Sequence, residues 1–207
     1  AMAIPSPEPP RRLELAAQVR SSSTGELQIA RAALRDAAPE HLHALVATAC
    51  LCAAGTDTPP KRDRLERLVA ALTAPGDGVF TLAGARVVVE QDEVWFTREP
   101  GESARGGLPH QSLPAGEPLV WDGRFEVEAA RSGLAIRPLA GIASRLPLAE
   151  QSQMRTLQAR TRGALPAVVD GGLIHCPPAQ ALPQVRLRPL AARRLAAACG
   201  LVEREPD

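Results

Sequence analysis

The chain has 207 residues, a formal net charge of +1 and an apolar fraction of 45%. That fraction supports a packed core and excludes disorder throughout, and no run approaches the roughly 20 apolar residues needed to span a bilayer. The start, Ala1-Met2-Ala3-Ile4-Pro5-Ser6-Pro7, lacks the charged and apolar regions of a signal peptide, so the cytoplasm is expected and no membrane contact.

Residues 1–38 read as an N-terminal tether. Its first ten positions are proline-rich and expected to lack regular structure, and Arg11 to Arg20 have helical composition. Ser23-Thr24-Gly25-Glu26 has the spacing of a capping box, which predicts a helix with Leu27, Ala30 and Ala33 or Leu34 as a narrow apolar stripe.

Residues 39–99 read as a small helical domain with a hairpin. Pro39 opens a helix carrying Leu42, Leu45, Val46, Ala49, Cys50 and Ala53 on one face, and Gly55 stops it. Thr58-Pro59-Pro60 introduces a second helix, with Leu65, Leu68, Val69 and Leu72 inward, ended by Pro75-Gly76. Strands follow at Phe80 to Leu82, Arg86 to Glu90 and Val94 to Arg98, with Gln91-Asp92 as the turn.

Gly and Pro interrupt residues 100–117 every few positions, so the segment reads as a linker unable to sustain a helix or central strand. Residues 118–207 read as a second domain. Strands are expected from Leu119 to Phe125, Phe125 to Ala129 and Leu134 to Arg137, and a helix from Glu150 to Arg160. Asp170-Gly171-Gly172 suits a hairpin turn, Val185 to Arg188 a strand and Leu190 to Ala198 a final helix. The fold class is α+β, with a small helical middle domain bearing a hairpin ahead of a small α+β domain.

Charge is spread unevenly. Between Arg137 and Arg194 the arginines Arg137, Arg145, Arg155, Arg160, Arg162, Arg186, Arg188, Arg193 and Arg194 face only Glu150 and Asp170. Guanidinium groups suit bidentate phosphate contact, although an arginine-rich solvated face is an equally simple reading. Lys61, Arg62 and Arg64 crowd the first turn of a helix, where the macrodipole disfavours cations and an anion would relieve them; alternatively the side chains swing into solvent.

Several constellations fall away on geometry. His41 and His43, like Cys50 and Cys52, stand two apart on a helix, about 200° around its axis, and neither pair chelates one ion. No nucleotide-binding or nucleophile motif occurs, and His110 and His175 sit in proline-rich or turn surroundings. The four cysteines lack the spacing of a disulfide scaffold and are expected to be reduced. With no Tyr, and with Phe80, Phe96, Phe125, Trp95 and Trp121 in apolar strand contexts expected to be core, stacking on splayed bases is disfavoured. Any RNA bound is expected to be duplex, held through its phosphates.

Three segments in succession carry a family resemblance. Pro60-Lys61-Arg62-Asp63-Arg64-Leu65-Glu66-Arg67-Leu68 leads into Phe80-Thr81-Leu82-Ala83-Gly84-Ala85-Arg86-Val87 and Trp95-Phe96-Thr97-Arg98-Glu99; Trp121-Asp122-Gly123-Arg124-Phe125 follows; then Met154-Arg155-Thr156-Leu157 precedes Leu165-Pro166-Ala167-Val168-Val169-Asp170-Gly171-Gly172-Leu173-Ile174. In this order they resemble the C-terminal half of bacterial tRNA(Ile)-lysidine synthetases of the alphaproteobacterial type.

The resemblance implies domains that position tRNA, while ATP-dependent attachment of lysine to the wobble cytidine of isoleucine tRNA resides in an N-terminal domain with a Ser-Gly-Gly-x-Asp-Ser loop. That loop is missing here, since Ser21-Ser22-Ser23-Thr24-Gly25 has neither the glycine pair nor the acid. No catalytic residue is therefore assigned, no cofactor is expected in this chain, and ATP and magnesium are expected only of the full-length enzyme. The chain alone is expected to be inactive, part of a longer enzyme or its remnant. Arg137, Arg145, Arg155, Arg160, Arg162, Lys61, Arg62 and Arg64 are the candidate tRNA contacts. The expected partners are isoleucine tRNA and the catalytic domain, with a homodimer left open. The rival reading is a protein-interaction or structural module that packs against the catalytic domain and touches RNA little.

Overall fold

The computed structural model describes residues 12–101 and 108–201; the proline-rich start and part of the expected linker lie outside the described residues. The chain is α+β, with seven α-helices and three antiparallel sheets among those residues. The first part contains α1 (Arg12–Ala17), β1 (Arg20–Ser21), β2 (Leu27–Ala30), α2 (Arg31–Arg35), α3 (Pro39–Ala54), α4 (Arg62–Thr73), β3 (Gly78–Leu82), β4 (Ala85–Glu90) and β5 (Glu93–Arg98). Its strands form one sheet in the order β1-β2-β5-β4-β3.

Pro39 at the start of α3 and Gly55 at its end act as their chemistry dictates. Proline needs no helical N–H at the first turn, and Gly55 takes the left-handed φ of 68° that closes the helix. Apolar residues of α3 and α4 pack on one face of the sheet, where Leu27, Ile29, Val87, Val89, Val94 and Phe96 are buried.

The segment expected to be a capped helix is instead β2 followed by the short α2. Leu27 and Ile29 alternate inward and pair with Phe96 and Val94 of β5, so ladder bonds and burial on a period of two outweigh a weak helical stripe. Thr24 turns its hydroxyl to Glu26 rather than capping a helix. The expected tether thus supplies two strands of the first sheet. The buried Arg31 donates from Nε to Leu72 O at 2.8 Å and from a terminal nitrogen to Gly76 O at 2.7 Å, closing the carboxyl end of α4.

The remainder contains β6 (Gln111–Leu113), β7 (Leu119–Trp121), β8 (Phe125–Ala129), β9 (Leu134–Pro138), a 3-10 turn (Ala143–Arg145), α5 (Leu148–Thr156), α6 (Ala159–Arg162), β10 (Pro166–Asp170), β11 (Leu173–His175), β12 (Val185–Pro189) and α7 (Ala191–Ala198). A four-stranded sheet runs β11-β10-β9-β6 and a three-stranded sheet β12-β8-β7. Leu113, Trp121, Phe125, Val127, Leu134, Ile136 and Val168 form one core between them, while Met154 of α5 joins Leu139, Ile142, Leu146, Ala167 and Ile174 in another.

Two further differences follow from packing. Gln111–Leu113, in the expected linker, adds β6 to a sheet edge, where Pro109 and Pro114 beside it disturb no ladder on the far side. The helix expected over Glu150 to Arg160 breaks at Leu157, whose extended ψ of 150° separates α5 from α6. The last helix, α7, returns to the first core through Ala191, Leu195 and Cys199.

Candidate nucleic-acid interface

The nominated cations separate into groups. Lys61, Arg62 and Arg64 are exposed at the start of α4, where Lys61 is the N-cap residue and makes no side-chain cap hydrogen bond. Arg62 is paired with Glu66 at 2.9 Å. Arg145 and Arg155 are exposed, and, with Lys61 and Arg64, have no ion pair or side-chain hydrogen bond among the described residues.

Arg160 and Arg162 are engaged within the protein. Arg162 closes α5, donating from Nε to Leu157 O at 2.9 Å and from a terminal nitrogen to Arg155 O at 2.8 Å. Arg160 meets Glu90 at 2.6 Å and lies 4.3 Å above the Trp95 ring, fastening α6 to the outer face of the five-stranded sheet. Trp95 is therefore half-buried beneath a guanidinium and not in the core, because its register partners Gln28 and Val88 lie on the face turned from α3. Phe80 is also only half-buried, whereas Phe96, Phe125 and Trp121 are core residues. Arg137 is half-buried on β9, its Nε without an acceptor among the described residues. Arg186 and Arg188 face Glu128 and Glu126 across the β8–β12 pair, at 3.8 and 3.2 Å.

Lys61 and Arg64 border a cleft of about 770 Å³ lined also by Gly55, Thr56, Thr58, Leu82, Gly84, Arg98, Pro109 and Asp122. Its walls come from the α3–α4 connection, the β3–β4 turn, the end of β5 and the segments flanking β6 and β7. Ala83 and Gly84 hold φ of 48° and 76°, folding the β3–β4 turn tightly enough to form one wall.

Asp122, in the cleft lining, belongs to the turn between Trp121 and Phe125. Asp122 and Gly123 have φ of 49° and 62°, which brings Gly123 against Gly55, the cap of α3. The Asp122 carboxylate accepts from Arg98 at 3.0 Å and from Arg124 Nε at 2.6 Å. Arg124 lies 5.1 Å from the Phe125 centroid, and Arg194 of α7 donates to Gly123 O. Burial pushes the Asp122 carboxyl up, against the pull of Arg124 and Arg98, and drives Arg124 down to about 10, against the pull of Asp122.

Sequence reasoning singled out the Trp-Asp-Gly-Arg-Phe run but not what it touches. Arg98, Arg194 and Gly55 approach it only through tertiary packing, and no local spacing signals that. A second pinned point is Glu150, buried on α5, whose carboxylate meets His175 Nδ1 at 2.7 Å and accepts the Cys176 N–H at 2.6 Å. Among the described residues no cluster of three or more His, Cys, Asp or Glu side chains could hold a metal ion, and none of the helices is long and apolar enough to cross a membrane.

No family model matches the chain, and no solved structure matches it. A curated relative does: a tRNA(Ile)-lysidine synthase of Caulobacter vibrioides is 38% identical over 178 residues, 83% of this chain. The chain spans 42% of that relative's length, a share consistent with a C-terminal half. Identity at that level over most of the chain agrees with the ordered motifs at Pro60 to Glu99, Trp121 to Phe125 and Met154 to Ile174, and the chain belongs to the tRNA(Ile)-lysidine synthase family.

Proposed function

We propose that this chain is the tRNA-recognition portion of a lysidine-forming ligase acting in the cytoplasm. It holds isoleucine tRNA while ATP-dependent attachment of lysine to the wobble cytidine takes place on polypeptide outside this chain. Family membership supports tRNA as substrate. The observation that carries the recognition role is the cleft beside α4, where Lys61 and Arg64 stand exposed, without carboxylate partners among the described residues, at the amino end of a helix. Phosphate oxygens of a stem are the acceptors such a cleft suits, and contacts of that kind set register rather than sequence identity. Arg145 and Arg155, also without side-chain partners among the described residues, provide further backbone contacts.

A docking reading has an observation of its own in the cations occupied by carboxylates or carbonyl groups, Arg62, Arg160, Arg162, Arg186 and Arg188. In that reading the surface meets the catalytic domain and RNA touches it little. Supplying the chain to a separately made catalytic domain and measuring lysine incorporation into isoleucine tRNA distinguishes them, when paired with direct RNA binding. Tighter tRNA binding and greater incorporation support recognition; greater incorporation with no RNA affinity in this chain supports docking.

A further inference from the structure

The cleft is walled by two parts of the chain, and an ion-paired joint between them lines it. Lys61, Arg64, Gly84 and Arg98 come from the α4 and five-stranded-sheet side, while Pro109 and Asp122 come from the side of β6 and β7. Asp122 spans the two: one carboxylate oxygen holds Arg98 of β5 at 3.0 Å and the other holds Arg124, its near neighbour, at 2.6 Å. Arg98 also reaches back to Gly84 O at 3.5 Å, so the guanidinium bridges the β3–β4 turn and the Asp122 wall. The Asp122 and Arg98 side chains are 4% and 8% exposed, which removes them from bulk screening and makes their geometry specific.

Given that Lys61 and Arg64 take phosphates as proposed above, we infer that Asp122 is a positioning residue for RNA binding. It contacts no phosphate itself. By clamping Arg98 it fixes the separation of the cleft's walls and so the place at which Lys61 and Arg64 meet the nucleic acid. Ordering these groups before binding lowers the cost of association. The inference reverses the sign that bulk electrostatics gives, because removing a carboxylate from a polyanion-binding surface should by charge alone strengthen binding.

The test uses the full chain with an isoleucine tRNA transcript as probe, comparing Asp122→Asn, Arg98→Lys and the double variant Lys61→Ala/Arg64→Ala. Asp122→Asn retains a side chain that tolerates the left-handed turn and adds no steric bulk. Asp122→Asn is expected to weaken binding about tenfold despite the more favourable net charge. Arg98→Lys, which keeps the charge but loses the planar fork, should weaken it similarly. Thermal unfolding identifies any variant that fails to fold, and affinity is then read from the one that retains a cooperative transition. Folded Asp122→Asn binding as tightly as wild type, or more tightly, overturns the inference, as does folded Arg98→Lys binding with undiminished affinity. If the Lys61/Arg64 double variant binds as wild type does, the recognition reading fails instead; if that variant weakens and Asp122→Asn strengthens, recognition stands and positioning falls.

Discussion

Gly55 at the end of α3 and Gly123 in the β7–β8 turn touch backbone to backbone: a Cβ on Gly55 would overlap the carbonyl oxygen of Asp122, and a Cβ on Gly123 would overlap that of Gly55. Each also has positive φ, 68° and 62°, so a side chain at either position adds backbone strain to the clash. Gly55→Ala and Gly123→Ala are expected to cost about 2 kcal/mol or more apiece, in the range for strained and overpacked sites. Urea unfolding of each single variant checks this, and Gly76→Ala provides a comparison, since its positive φ comes with no neighbouring atom within 4 Å of the added Cβ.

The Arg160 guanidinium on the Trp95 ring unites an ion pair, a cation–π contact and the docking of α6 on the first sheet. A double-mutant cycle between Arg160→Ala and Trp95→Ala is expected to give a coupling of about 1 kcal/mol. Neither change should alter the salt dependence of RNA binding, because Arg160 is committed within the protein. A reduced salt slope in Arg160→Ala would instead return that residue to the RNA-facing set.

Burial raises the Cys176 thiol from 9.0 to about 12, its largest cause, and the Cys52 thiol to about 11. An unfolded thiol loses its proton near pH 9 while the folded thiol keeps it, so the folded state binds more protons between those limits. Stability therefore holds below pH 9 and falls as pH rises above it, by at most about 1.4 kcal/mol per pH unit for each such thiol. Cys176→Ala, compared with wild type by urea unfolding at pH 8 and pH 10.5, should show a shallower alkaline loss. Equal losses in the two proteins would count against a buried thiol at this position.

Glu150 joins α5 to the β10–β11 hairpin through His175 and the Cys176 N–H. Glu150→Ala leaves that buried amide without its acceptor and is expected to cost about 2–3 kcal/mol. Hydrogen exchange should show the loss at the Cys176 amide ahead of the five-stranded sheet; uniform acceleration throughout the chain would contradict a local pin.

The sequence made α3 legible because proline, glycine and an apolar stripe agree on one answer, and the β4–β5 hairpin because Val-rich strands flank Gln91, whose φ is 57°. Residues 27–30 were misleading, although 31–35 do form the short α2: a capping-box spacing and a helical stripe are local signals, whereas pairing of Leu27 with Phe96 is a contact across 69 positions that outweighs them. The cations divide by the same principle. Lys61 and Arg64 keep the exposure that a helix start suggests, but Arg160 and Arg162 are drawn into an ion pair and helix closure by neighbours that charge counting does not see. The Asp122 joint was visible as a motif and opaque as a mechanism, since Arg98, Gly55 and Arg194 reach it from three other elements.

If the α4 cleft grips RNA through its phosphates, binding must weaken with salt in proportion to the contacts made. Affinity of the chain for an isoleucine tRNA transcript is measured across a salt series for wild type and for Lys61→Ala/Arg64→Ala. Wild type should bind more weakly as salt rises, and the double variant should lose about 0.9 from the slope of log K against log salt for each phosphate contact removed. No measurable affinity at low salt, or identical slopes in the two proteins, would contradict the claim.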